Sequence, residues 1–274
     1  MFKKINVKNL VTRVLFALVI LAVIISTGLL GGWFWFGVIS AATLVGQWEF
    51  YRVFGIEKNP QGIVGYLVSV GYWVSLAFNR PDFMLPILVI GFVGLMMMFV
   101  IRFEKTTSEQ AIASFFGIIY PVVLLSYMYR IRMLEDGIIL VWLPFIGSWV
   151  ADTFAYLVGI LIGKHKMVPK LSPGKSWEGA VGGVLGAMLF GALFGLVIKG
   201  HFTTIQNPIL ACVLLCGAAA VVSIFGDLCA SAFKRKHDVK DYSNLIPGHG
   251  GIMDRFDSVL FIAPAIFYLV QLFL

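Results

Sequence analysis

The sequence predicts an all-α polytopic integral membrane protein of about nine transmembrane helices, N-terminus cytoplasmic and C-terminus outside. Three observations carry this. The 274-residue chain is 59% hydrophobic and only 13% charged, whereas a soluble domain is roughly 45–50% apolar and about 25% charged. Its mean hydropathy is +0.92. Its apolar residues gather into nine runs of spanning character, and its bases alternate between the flanks of those runs. A soluble enzyme, a disordered chain and a disulfide scaffold are excluded. Three cysteines, Cys212, Cys216 and Cys229, form no metal or disulfide pattern and read as reduced thiols.

The runs are 11–30, 33–50, 63–78, 83–101, 115–129, 137–163, 179–198, 208–227 and 258–274. None shows the alternation of barrel strands, and helices satisfy their own backbone groups in lipid. The first follows Lys3, Lys4, Lys8 and Arg13, as a signal peptide would, but no small-residue cleavage site follows; it reads as an uncleaved span. The third and fifth are short. The sixth is long enough to be tilted or broken.

Nine spans define ten flanks. With the N-terminus inside, the outside flanks hold Arg80, Arg130, Arg132 and Lys199, and the other 17 of the 21 bases lie inside. That bias follows the positive-inside rule. The Arg130/Arg132 flank sits outside, balanced by Glu135 and Asp136. Five spans form an N-terminal region, 1–132. Four spans and two long polar inside loops, 164–178 and 229–257, form a C-terminal catalytic region, 133–274.

The last inside loop carries most of the candidate chemistry. Lys234, Arg235 and Lys240 precede a Pro247-Gly248-His249-Gly250-Gly251 turn, and Asp254 and Asp257 follow it. These two acids are three apart, so on a helix they share a face. Asp227 ends the eighth run at the same membrane face, at a helix C-terminus, where a cation is favoured. The seventh and ninth helices present their N-termini there, where anions are favoured. Glycines at 248, 250 and 251 let backbone N–H groups approach a phosphate. Acids for a divalent metal, bases for phosphates and a glycine turn suit Mg²⁺-assisted phosphoryl or nucleotidyl transfer.

The other inside loop contains Ser172-Pro173-Gly174-Lys175-Ser176. It is not a P-loop: Pro169 stands where the first glycine belongs, and no strand is read before it. Lys175 and Ser176 still open a helix, a seat for phosphate. Plainer readings stand beside these. Lys234–Lys236 also suits a stop signal for anionic lipid, about 1 kcal/mol per base. His249 also suits a turn residue, Asp254 a helix cap, and Ser172-Pro173 a simple turn. Asp152 lies within a run, where a charge costs at least ~2.5–3.5 kcal/mol, so its default reading is functional or paired. Glu49 lies nearer the inner face, and the sequence leaves snorkelling and a role equally open.

These residues resemble the signature of the phosphatidate cytidylyltransferases, or CDP-diacylglycerol synthases. Ser231, Lys234, Arg235, Lys240, Asp241, Ser243, Ile246, Pro247, His249, Gly250, Gly251, Asp254, Arg255 and Asp257 fill it without a gap over 27 residues. Ser172, Pro173, Lys175, Ser176, Glu178 and Gly179, with Asp152, Thr153, Ala155 and Tyr156, also resemble family motifs. From about Ala151 to Asp257 the resemblance is specific; over the first 130 residues it is topological. Members often carry Glu directly before the Ser. This chain has Ala230 there, so no role passes from that acid.

The resemblance implies transfer of a cytidylyl group from CTP to phosphatidate, giving CDP-diacylglycerol and pyrophosphate at the cytoplasmic face of the cell membrane. It implies Mg²⁺ held by Asp227, Asp254 and Asp257, with K⁺ as the kind of second cation the site would take. Asp227, Asp254, Lys175, Lys234 and Arg235 are the implied catalytic residues. Ser172, Lys175, Ser176, Lys234, Arg235, Lys240, Asp241, His249, Gly250, Gly251, Arg255 and Asp152 are the implied substrate contacts. A homodimer in the membrane, with no nucleic-acid partner, completes the expectation. The rivals are a secondary transporter, against which the one-sided placement of the polar residues counts, and a CTP-dependent polyprenol kinase, which would release CDP.

Overall fold

The computed structural model describes residues 7–246, 248 and 250–273, with side chains from residue 14. Pro247 and His249 lie outside the described residues, as do Lys3 and Lys4. Each of the nine apolar runs falls on a helix. They are α1 (Val7–Leu30), α2 (Gly32–Val53), α3 (Pro60–Ala77), α4 (Met84–Ile101), α5 (Ser108–Ile118) continued by α6 (Leu124–Arg132), the short α7 (Gly137–Leu140) and α8 (Leu143–Phe145) leading into α9 (Ala151–Ile162), α10 (Trp177–Ile198), α11 (Pro208–Lys236) and α12 (Met253–Val270).

Among the described residues, five helices are long and apolar enough to cross a membrane. On α4, Leu85, Ile90 and Val100 are each about 70% exposed. So much bare aliphatic surface suits lipid and not water. The chain is an all-α membrane protein.

The breaks have local causes. Pro121 lies in a π-helical turn, Ile119–Val123, that joins α5 to α6; a proline removes one backbone donor, and the ladder adjusts around it. The fifth helix begins earlier than its apolar run because Thr107 and Gln110 form a reciprocal capping box. The sixth run is broken, as its length suggests: Pro144 interrupts it, and a second π-helical turn, Ile146–Val150, leads into α9.

The chain forms two compact units. One holds the chain up to Val123 together with Val239–Arg255; the other holds Leu124–Asp238 and the chain from Phe256 on. By compactness the units divide at Val123, and Val239–Arg255 of the last loop groups with the N-terminal residues.

In the first unit, α2, α3 and α5 pack around Tyr51, which has no exposed surface. Its hydroxyl donates to the Ser114 carbonyl and accepts from Gln47 Nε2 at 3.0 Å. Trp73 Nε1 donates to Thr43 Oγ1 at 2.8 Å. In the second unit, α10 packs between α9 and α11. The approach to α9 needs small residues: a Cβ on Gly183 would stand 2.7 Å from the Ala151 carbonyl oxygen. Cys212 and Cys216 are buried in the α10–α11 packing.

The flank that follows α6 is held by ring faces and hydroxyls. Arg130 stacks over Tyr127 and Phe267, 4.5 and 4.4 Å from the ring centres. Asp136 turns to Thr203 and Thr204, accepting from both hydroxyls and both backbone N–H groups at 2.6–3.1 Å.

Candidate active site

The loop 164–178 is a β-hairpin leading directly into α10. Strand β1 (Lys166–Val168) pairs antiparallel with β2 (Ser172–Ser176), placing Lys166 opposite Ser176 and Val168 opposite Ser172. Ser172 and Pro173 therefore lie in a strand, and the turn between strands is made by the residues before them. The hairpin delivers Ser176 as the cap of α10, where its hydroxyl accepts from Gly179 N–H at 3.2 Å. Lys175 stands immediately before that cap, at the helix entrance expected from the sequence.

From there Lys175 Nζ reaches Asp227 Oδ2 on α11 at 2.5 Å. Both side chains are part-buried, 24% and 31% exposed, so solvent screens the pair less than a surface bridge. Two further acids share its field. Asp152 on α9 is repelled by Asp227 and attracted by Lys175. Asp257 on α12 is repelled by Asp227 and Asp152 and attracted by Lys234. Three carboxylates and two lysines thus share one electrostatic field.

A cavity of about 540 Å³ adjoins this cluster between α9, α10 and α11. Asp152, Tyr156, Lys166, Lys175, Ser176 and Ser223 supply its polar lining, and alanines, glycines, isoleucines, Met167 and Val184 the rest. A polar end on an otherwise apolar pocket can hold an amphipathic phosphate ester.

Helix α11 does not end at Asp227. It runs on to Lys236, so Lys234, Arg235 and Lys236 form its last turn. There they face the negative end of the helix dipole, which stabilises them. The expectation that Asp227 marks the helix terminus is corrected accordingly: alanines and lysines continue a helix well even where hydropathy falls. Ala230, directly before Ser231, is fully buried.

Lys240, Asp241, Gly250, Gly251, Asp254 and Arg255 lie in the first unit. Asp254, buried on the first turn of α12, accepts from Tyr242 N–H and Gly251 N–H, both at 2.9 Å and both on Oδ2. The Gly251 N–H, expected to approach a phosphate, is thus given to Asp254. Gly250 has φ +83° and accepts from Ile246 N–H at 2.9 Å. Lys240 and Arg255 are exposed. Asp241 lines a separate cavity of about 460 Å³ with Trp48, Arg52 and Tyr242. The placement of His249 lies outside the described residues.

One residue gains a place the sequence left open. Glu49 has no exposed surface and accepts from Ser243 Oγ at 2.5 Å, Ile252 N–H at 3.0 Å and Met253 N–H at 2.8 Å. The signal in the sequence was an acid in an apolar run, matched by a glycine turn whose N–H groups needed acceptors.

Among the described residues, no group of three or more His, Cys, Asp or Glu side chains is arranged to hold a metal ion. Mg²⁺ commonly takes only one or two carboxylates, completing its shell with water and substrate phosphates. Hard oxygen donors in excess over their lysines fit such an ion.

Fold and cluster define the class: an all-α membrane enzyme whose charged residues gather beside a cavity between helices. The chain belongs to the Cytidylyltransferase family, which it matches over residues 11–273. It is similar to the phosphatidate cytidylyltransferase of Haemophilus influenzae, 30% identical over 282 residues, covering 93% of this chain and 96% of that protein. The Pseudomonas aeruginosa phosphatidate cytidylyltransferase is 32% identical over 257 residues, covering 90% and 92%. The Bacillus subtilis one is 38% identical over 156 residues, covering 57% and 56%.

Proposed function

We propose that this chain transfers a cytidylyl group from CTP to phosphatidate, giving CDP-diacylglycerol and pyrophosphate for phospholipid synthesis. The observation that carries the reading is the Lys175–Asp227 pair, with Asp152 and Asp257 in its field, beside the cavity of α9, α10 and α11. Such a pocket offers apolar walls to a lipid and ionic groups to phosphates. The family membership and the names of the relatives point to the same reaction.

A phosphate oxygen of phosphatidate bonds to the α-phosphorus of CTP. The bond from that phosphorus to the α,β-bridging oxygen breaks, and pyrophosphate leaves with the oxygen and its electron pair. The attacking oxygen is already ionised near neutral pH, so no general base is needed. The protein contributes position and charge. Lys175 and Lys234 offset charge on the phosphates. Asp227 and Asp257 would hold Mg²⁺, and Asp254 keeps the metal role implied by its motif. Held by those carboxylates, Mg²⁺ would supply positive charge to offset the two anionic substrates and the leaving pyrophosphate. A second cation, such as K⁺, belongs to the same proposal. Ser172, Arg235, Lys240, Asp241, His249 and Arg255 remain the motif's candidates for substrate contacts.

The topology belongs to the same reading: nine spans in the cell membrane, N-terminus inside, C-terminus outside, chemistry at the cytoplasmic face. The 17 inner bases support it. A cysteine replacing exposed Lys170 should react with an impermeant thiol reagent only in opened cells, and one replacing Lys199 in intact cells. A homodimer is carried over from the resemblance; the mass of the detergent-solubilised protein tests it.

The reaction is tested by its product. Purified protein given CTP and phosphatidate in micelles should form CDP-diacylglycerol. Formation of CDP with a phosphorylated lipid would instead indicate a kinase.

A further inference from the structure

Glu49 is a buried acid on a predominantly apolar helix, and its donors come from one distant segment. Ser243 lies near the middle of the connection from α11 to α12; Ile252 ends it and Met253 opens α12. Glu49 Oε1 takes the Ser243 hydroxyl and the Ile252 N–H, and Oε2 takes the Met253 N–H. Ser243 Oγ in turn accepts from Leu245 N–H at 3.1 Å. Asp254 closes the same segment by binding Tyr242 N–H and Gly251 N–H. Two acids therefore tie residues 242–243 to residues 251–253.

The chemistry is selective. An ionised carboxylate accepts at both oxygens and donates nothing, which matches three donors. A glutamine would aim an N–H₂ group at one of them. The charge also sits at the N-terminus of α12, where the helix dipole favours it. Gly251 fits this arrangement: a Cβ there would collide with the Glu49 carboxylate. Its lack of a side chain is explained by Glu49, with no appeal to a bound phosphate.

We infer that Glu49 is a positioning residue: through Ser243, Ile252 and Met253 it fixes the loop that carries Lys240, Asp241 and Arg255, and sets where α12 begins. Asp257 follows one turn later on that helix, so its placement along the helix is set as well. The part of this inference that concerns turnover rests on the cytidylyl-transfer reading; the clamp itself does not.

The test uses the full chain in detergent, wild type and Glu49→Gln, with hydrogen exchange and steady-state kinetics run on the same samples. In Glu49→Gln the Ile252 and Met253 amides should exchange at least about tenfold faster. Turnover per folded molecule should fall at least about tenfold, the change appearing in kcat or in the KM for CTP. Glu49→Asp should recover part of both. A residue needed only for folding would lower the yield of folded protein and leave these constants unchanged. Gly251→Ala should cost much less activity in a Glu49→Ala background than in wild type, because the collision has gone. If Glu49→Gln does not fold, Ser243→Ala removes one donor and should raise exchange at Ile252 and lower turnover. Exchange and turnover within about twofold of wild type in the folded variant would overturn the inference. Faster exchange with wild-type kinetics would overturn the positioning role alone. A wild-type protein inert toward CTP and phosphatidate would remove the reaction, while the exchange data would still decide the clamp.

Discussion

Lys175 Nζ and Asp227 Oδ2 stand 2.5 Å apart, joining a residue at the entrance of α10 to one within α11. The sequence separates them by half a hundred positions; the hairpin before α10 brings them together. Their pairing makes each a condition for the other. Lys175→Met and Asp227→Asn should each lower kcat/KM by about 10²–10³, the size seen when one preorganised charge-stabilising group is removed. The double variant should be about as slow as the worse single one, because the two act as a unit. Steady-state kinetics on all four proteins checks this; losses that multiply independently would contradict it.

Asp257 and Asp254 separate metal binding from loop holding. Asp257→Asn should raise the Mg²⁺ concentration for half-maximal turnover by at least about tenfold if it holds the ion. Asp254 accepts both the Tyr242 and the Gly251 N–H on one oxygen, so Asp254→Asn can keep these two bonds while it loses the charge. That variant should melt near the wild-type temperature yet lose at least about tenfold in Mg²⁺-dependent turnover. Wild-type turnover would leave Asp254 with the loop alone.

Asp136 makes stability depend on pH. Burial alone would raise its carboxyl, but the donors of Thr204 and Thr203 hold it below the ordinary carboxylate value. A carboxylate with a lowered folded-state pKa contributes stability that is full above the unfolded value, about 3.9. That contribution disappears as pH falls through the folded value. Asp136→Asn should lower stability at neutral pH by about 2 kcal/mol, since hydrogen bonds to a charged group are worth roughly 1.5–3 kcal/mol each. The difference from wild type should shrink in acid. Thermal melts in detergent at several pH values read this; a constant difference across the range would refute it.

Gly183 marks one close approach of α10 to α9. Gly183→Leu should destabilise the protein by about 1–3 kcal/mol or more through overpacking. Gly200, where a Cβ would meet nothing within 4 Å, is the control: Gly200→Ala should leave the melting temperature nearly unchanged.

What was legible in the sequence was what hydropathy and local pattern encode. Each apolar run is helical, the sixth is broken as its length suggests, and Lys175 and Ser176 stand at the entrance of α10. The extension of α11 past Asp227 was hidden because its last turns are charged, and charge reads as loop when hydropathy is the guide. The strand at Ser172–Ser176 was hidden by Pro173-Gly174, which reads as a turn. The Glu49–Ser243 bond spans 194 positions, and no local period reports such a contact. The turn of Asp136 toward Thr203 and Thr204 escaped for the same reason: charge counting pairs an acid with the nearest bases, whereas neutral hydroxyls and backbone N–H groups satisfied it.

The central claim is cytidylyl transfer to a lipid phosphate, and pyrophosphate release tests it most directly. The purified protein in micelles, given CTP, phosphatidate and Mg²⁺, should release one pyrophosphate for each CDP-diacylglycerol formed. Release should stop when the divalent ion is chelated or phosphatidate is omitted. A well-folded preparation that releases no pyrophosphate under those conditions, or releases it equally without the lipid, would contradict the account.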